Sequence, residues 1–149
     1  MNAIRNVLLA TDGAPHSLDA VRALIALLPA DGSAHVKVLT VLSYRMYPDR
    51  FSEGTVNIAD EQDAVDAATV QAVRLLDEAG IKSDVAHRFG NPAAGILEEC
   101  DEWQPQLIVL GSRGLRGAAR LFGASVSQQV IKGSNLPVLI VPSSESPTA

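Results

Sequence analysis

Apolar positions along the 149-residue chain change their spacing repeatedly, and each change marks an element. Ile4 to Leu9 and Val36 to Leu42 are short apolar runs; the second is nearly continuous, as a strand covered on both faces requires. Between them Leu18, Val21, Leu24, Ile25 and Leu28 recur at helical spacing until Pro29 and Gly32 end the pattern. Val65, Ala68, Ala72, Val73, Leu75 and Leu76 predict a second helix over Ile58 to Ala79, stopped by Gly80. Lys82 to Phe89 reads as a third strand, after which Asn91 is placed to cap and Pro92 to open a helix reaching about Glu102. A fourth strand over Leu107 to Leu110, a helix over about Ser127 to Lys132 ended by Gly133, and a fifth strand over Val138 to Val141 complete the series. Strands alternating with helices predict parallel βαβ units, hence a three-layer α/β sandwich with a five-stranded parallel sheet. In such sheets ligands sit beyond the carboxyl ends of the strands, where the strand order reverses.

Length and composition narrow this picture. A chain of 149 residues, 47% hydrophobic and 19% charged, is expected to form a single domain over 1–149, with 142–149 as a frayed tail. The net charge of -5 disfavours partners that need a basic field, such as nucleic acid or a membrane surface. The single cysteine, Cys100, excludes an intramolecular disulfide and favours a reducing, cytoplasmic setting. Val7 to Ala10 is too short for a secretory signal, and no stretch approaches the roughly 20 apolar residues of a membrane span. Ser43 to Gly54, polar and aromatic, reads as a longer surface loop. The acids Asp60, Glu61, Asp63 and Asp66 suit the positive end of the helix they open.

Candidate chemistry gathers at three predicted strand ends: Ala10-Thr11-Asp12-Gly13, Thr40-Val41-Leu42-Ser43 and Leu110-Gly111-Ser112-Arg113-Gly114. The last opens a segment, glycine-rich at both ends, that leads through Ala124 and Ser125 into a helix. Glycine lets backbone N–H groups approach an anion, and a helix start adds unpaired donors with a positive dipole. Ser125 and Ser127 carry hydroxyls suited to the same anion or to capping the helix. Between Trp103 and Ser144 there is no Asp or Glu, while Arg113, Arg116, Arg120 and Lys132 all fall there. That cationic stretch in an acidic chain points to a phosphate-bearing ligand. Asp12 suits a ribose hydroxyl, metal-bound water or a turn before Gly13.

Thr11-Asp12-Gly13, the run Gly111-Ser112-Arg113-Gly114 through Ser125-Val126-Ser127, and Asn135 to Val141 together resemble the universal stress protein family over Ile4 to Val141. The resemblance implies the adenine-nucleotide alpha hydrolase-like fold, and a regulatory module of the stress response that binds ATP, or ADP or AMP, with Mg2+ or Mn2+. It implies that Asp12 lies near the ribose or the phosphate-bound metal, that Ala10 and Thr11 line the pocket and that Val41 backs the adenine through its backbone. Leu110, Gly111, Arg113, Gly114, Ala124, Ser125, Val126 and Ser127 would complete the cofactor site, with Gly111, Arg113, Gly114, Ser125, Val126 and Ser127 holding ribose and phosphates. It also implies a homodimer, and the last strand, an expected sheet edge, is the surface for it.

The family's nucleotide motif, Gly-x2-Gly-x9-Gly-[Ser/Thr], is matched by Gly111, Gly114 and Ser125, but Ala124 replaces the third glycine. With a positive φ there, alanine costs about 1 kcal/mol; with a negative φ the change is nearly neutral. The alternative reading is therefore a nucleotide-independent dimeric interaction protein whose site Ala124 has closed. The chain lacks the acid cluster that a receiver domain needs, the dinucleotide G-x-G-x-x-G is absent, and His16, His35 and His87 have no orienting carboxylate at readable spacing. No catalytic residue and no resident metal ligand is expected, with ATP hydrolysis at most slow. Cys100 reads as a small buried hydrophobe, and Trp103 as packing at its helix end.

Overall fold

The structure is a computed structural model that describes residues 3–11, 18–42, 58–112 and 124–142. Among these residues nine elements follow in the predicted alternation: β1 (Asn6–Thr11), α1 (Leu18–Leu27), β2 (His35–Leu42), α2 (Ile58–Glu78), β3 (Lys82–Phe89), α3 (Pro92–Trp103), β4 (Leu107–Ser112), α4 (Ala124–Gly133) and β5 (Val138–Pro142). All neighbouring strands pair in parallel, in the order β3-β2-β1-β4-β5. The chain builds outward from β1 to β3 and then returns to the other side of β1, so the order reverses between β1 and β4. In open α/β sheets such a point of reversal, at the carboxyl ends of the strands, is where ligands bind.

Alternation along each strand divides the core in two. Val7, Leu9, Val36, Val38 and Val109 pack beneath α1 and α2 through Leu18, Val21, Leu24, Ala72 and Leu76. On the other face Leu8, Ala10, Leu39, Val41, Ile108 and Leu110 meet Ala93, Ile96 and Cys100 of α3 and Val130 of α4. Two layers of helices therefore enclose the sheet, the expected sandwich. β1 reads as buried from Val7 to Thr11, because strands lie on both of its sides and helices on both of its faces.

Local chemistry sets the ends of the helices. At Gly80, φ is +74° and the Ile81 N–H returns to the Leu76 carbonyl at 2.9 Å, closing α2. Asn91 caps α3 by accepting from the Ala94 N–H at 3.0 Å, with Pro92 in the first turn as predicted. α3 ends on Gln104, the only non-glycine with positive φ among the described residues.

One boundary differs in a way that matters. The sequence pattern starts the fourth helix near Ser127, whereas α4 begins at Ala124. Apolar periodicity starts late because Ala124, Ser125 and Ser127 are small or polar, yet an amino-terminal turn needs no apolar stripe. Smaller differences extend β1 to Thr11, β4 to Ser112 and β5 to Pro142.

Candidate functional site

The described members of the predicted site come from four elements, β1, β2, β4 and α4, near the carboxyl end of the sheet. Ala10 and Thr11 end β1, Val41 lies in the last pair of β2 residues, and Leu110 and Gly111 lie near the end of β4. The sheet register aligns them: Ala10 pairs with Leu110, Thr11 with Thr40, and Gly111 with Val141. Val126 and Ser127 belong to the first turns of α4, which follows β4. Ala10, Thr11, Val41, Leu110 and Ser127 are buried and Gly111 and Val126 half-buried; the backbone of the first four and of Gly111 is held by the sheet and that of Val126 and Ser127 by α4. Asp12, Arg113 and Gly114 lie outside the described residues, as do Arg116, Arg120 and His16. Of Ala124 and Ser125 the structure describes the backbone, which is helical.

The backbone at Ala124 answers a question left by the sequence. Ala124 opens α4 and is not among the residues with positive φ. Alanine is the strongest helix former, so at this place it carries no backbone strain. A free amino-terminal helical turn presents N–H donors and the positive end of the dipole. Alanine thus stands in helical backbone at the position where the family motif has glycine.

Val41 is held from the α3 side of the sheet. It is fully buried in the core beneath α3 and pairs across the sheet with Arg88 of β3. Gly95 of α3 lies directly above, where an added Cβ would stand 3.0 and 3.1 Å from the two Val41 methyl carbons. One helical turn later Glu99, buried, accepts from Lys37 Nζ at 2.9 Å and from Arg88 Nε at 2.7 Å. Burial pushes the Glu99 carboxyl up, but the hydrogen bonds and charges of Lys37 and Arg88 outweigh it and hold it below its ordinary value. The hydrogen bond to Glu99, ahead of the opposing effect of burial, raises the Arg88 guanidinium above its own. A further turn on, Trp103 lies 4.9 Å beneath Lys37 Nζ and meets His35 edge to face at 5.5 Å.

Sequence reasoning missed this array. His35 does have a carboxylate partner, Asp84 at 2.6 Å, across the β2–β3 edge, which corrects the expectation drawn from spacing. Cys100 is free and buried as expected, and burial, with Asp101 and Glu99 nearby, pushes its thiol up to about 11. A separate open cavity of about 320 Å³, lined by Leu97, Cys100, Asp101, Pro105 and Leu136 among others, lies at the carboxyl ends of α3 and α4, next to the entry to β4 and β5. It is at the opposite end of the sheet from the candidate site. Among the described residues no three His, Cys, Asp or Glu side chains group to hold a metal, and no helix is long and apolar enough to cross a membrane.

Comparison with known proteins settles the family. Residues 3–142 match the universal stress protein family. The chain belongs to that family. A universal stress protein of Thermus aquaticus, encoded beside a QAH/OAS sulfhydrylase, is 32% identical over 138 residues, spanning 92% of this chain and 98% of the relative. Among solved structures, a universal stress protein in complex with cAMP superposes with a TM-score of 0.65 at 27% identity, covering 95% of this chain and 98% of its own. A universal stress protein family member from Arabidopsis thaliana with AMP bound gives a TM-score of 0.69 at 17% identity, covering 97% and 96%. The universal stress protein fold, with its adenine-nucleotide alpha hydrolase-like architecture, is therefore the fold of this chain.

Proposed function

We propose that this single-domain universal stress protein is an ATP-binding regulatory module. The observation that carries the reading is the helical backbone of Ala124, which removes the strain that its substitution for glycine would otherwise bring. Support comes also from Ala10, Thr11, Val41, Gly111, Val126 and Ser127 meeting at the reversal of strand order, and from the cAMP and AMP held by the two structural neighbours. In this reading Val41 offers its backbone to the adenine edge. Asp12 serves ribose or metal-bound water, and Gly111, Arg113, Gly114, Ala124, Ser125, Val126 and Ser127 hold ribose and phosphates. A divalent ion, Mg2+ or Mn2+, would enter with the phosphates. The output is the bound state itself, with at most slow hydrolysis, in a reducing cytoplasmic setting.

Titration with ATP, with and without magnesium, tests the reading. Binding below millimolar ATP, weakened by Asp12→Ala and by Ser125→Ala, is the expected result; no binding at millimolar ATP overturns it. The β5 edge, where Ile140 is exposed and Leu139 and Val141 half-buried, is the proposed surface for a homodimer. Sedimentation as a monomer at micromolar concentration would refute that assignment.

A further inference from the structure

Gly95 is out of place by propensity. It lies in the interior of α3, where glycine is about 1 kcal/mol less favourable than alanine. Its φ is not positive and its N–H makes an ordinary helical bond to the Asn91 carbonyl at 2.9 Å, so neither backbone conformation nor a cap calls for glycine. The space above it does. A Cβ would stand 3.0 Å from Val41 Cγ2, 3.1 Å from Cγ1 and 3.7 Å from Arg88 Cβ, over the Val41–Arg88 pair of the sheet.

Val41 has nowhere to retreat. Its side chain is fully buried, and its strand is paired with β1 up to Thr40 on one side and with β3 on the other. The helix cannot lift either, because Glu99 ties it to Lys37 and Arg88, and Trp103 packs against Lys37 and His35. Gly95, Glu99 and Trp103 recur every four residues along one face of α3 and meet Val41, Lys37 and His35 in reverse order along β2. Helix and strand are thus fixed at three levels, and the level nearest the carboxyl end of the sheet is Gly95 on Val41.

We infer that Gly95 is a positioning residue that fixes the Val41 backbone for recognition of adenine over guanine. The inference rests on the nucleotide reading above. Adenine presents an amino donor beside a ring-nitrogen acceptor, a pattern that a strand's carbonyl and N–H satisfy together; guanine presents an oxygen and a ring N–H there, which meet them with the wrong sign. Discrimination therefore depends on holding that backbone in place, and a Gly95 methyl would press on it through the Val41 methyls, which stand a few tenths of an ångström too close.

The test measures ATP and GTP affinities for the full chain, for Gly95→Ala, for Val41→Ala and for the double variant, with the Val41 amide resonance and the thermal midpoint recorded for each. The expected result is a displaced amide resonance and an ATP-over-GTP preference reduced on the order of tenfold in Gly95→Ala. In the double variant, where the opposing methyls are gone, the preference returns to that of Val41→Ala. A changed midpoint with an unchanged ATP-to-GTP ratio in Gly95→Ala overturns the role of Gly95 alone, as does an unmoved amide resonance. Wild-type protein that binds neither nucleotide overturns the nucleotide reading and this inference together.

Discussion

Arg88→Met probes the energetics of the α3 contact most directly. Arg88 makes three ion pairs, but they differ in environment: Glu98 and Glu102 are about two-thirds exposed, whereas the Glu99 side chain is only 8% exposed. Exposed pairs contribute roughly 0 to 1 kcal/mol each, so the weight falls on Nε to Glu99 at 2.7 Å. Removing one partner from a buried pair costs about 3 to 5 kcal/mol, because the remaining charge stays desolvated. Glu99 keeps Lys37 at 2.9 Å, which places the expected loss at the lower end, about 3 kcal/mol. At roughly 2 to 4 °C per kcal/mol for a domain near this size, the thermal midpoint falls by about 6 to 12 °C. The triple variant Lys37→Met, Arg88→Met, Glu99→Leu removes every charge of the buried set and is expected to recover most of that loss, since an apolar replacement leaves nothing unpaired. Calorimetry of the three proteins at neutral pH checks this. A drop under about 2 °C in Arg88→Met, or a triple variant no more stable than the single, refutes the argument that burial gives the pair its weight.

Three further outcomes follow from the same structure. Glu99 titrates below its ordinary value of 4.5 in the folded chain, so unfolding takes up protons; its stabilisation is full above 4.5 and is lost as pH falls through the folded value. Acid unfolding of Glu99→Gln should therefore be less steep than that of wild type below pH 4.5, and parallel curves would contradict the assignment. Cys100, with its thiol raised from 9.0 to about 11, is protonated at neutral pH, and iodoacetamide should label it only on unfolding; its contribution to stability is complete below 9.0 and is lost as pH rises through 11. Rapid stoichiometric labelling of native protein would count against its burial. Asn91→Ala removes the cap on Ala94 and should lower stability by about 1 kcal/mol, read as a midpoint shift of about 2 to 4 °C, with no shift showing the cap to be idle.

The order of elements was legible because each one carries its own local signal. The continuous apolar run before Leu42 declares a strand buried on both faces, and Asn91-Pro92 declares a helix start whose capping bond the structure shows. The placement of the strand ends was legible for a different reason. In a doubly wound sheet the carboxyl ends of strands are known once the strands are, so Ala10, Val41 and Gly111 could be brought together without knowledge of a single side-chain contact. The start of α4 was less legible, because Ala124 and Ser125 carry no apolar period and only a hydrogen-bonded turn reveals them as helical.

What could not be read is pairing across the sheet. Lys37 and Glu99 are 62 positions apart, and His35 and Asp84 are 49 apart. In sequence each is one more charged residue with a solvated side chain as its default. The sole hint was Glu99 itself, which falls four residues after Gly95 and one before buried Cys100, on the face that the Ala93 and Ile96 period turns toward the core. A carboxylate on an apolar face demands a cation from elsewhere, and β2 and β3 supply one each from levels four residues apart in the sheet, since Lys37 pairs with Asp84 and Arg88 with Val41. The buried acid thus selects one docking of α3 over its neighbours. A slip of the helix by one turn would set Glu99 over Leu39 or beyond His35 and leave its charge without both partners, while moving Gly95 off Val41. The ion pairs and the glycine are two parts of one constraint, and the place they constrain is the end of β2 that borders the candidate site.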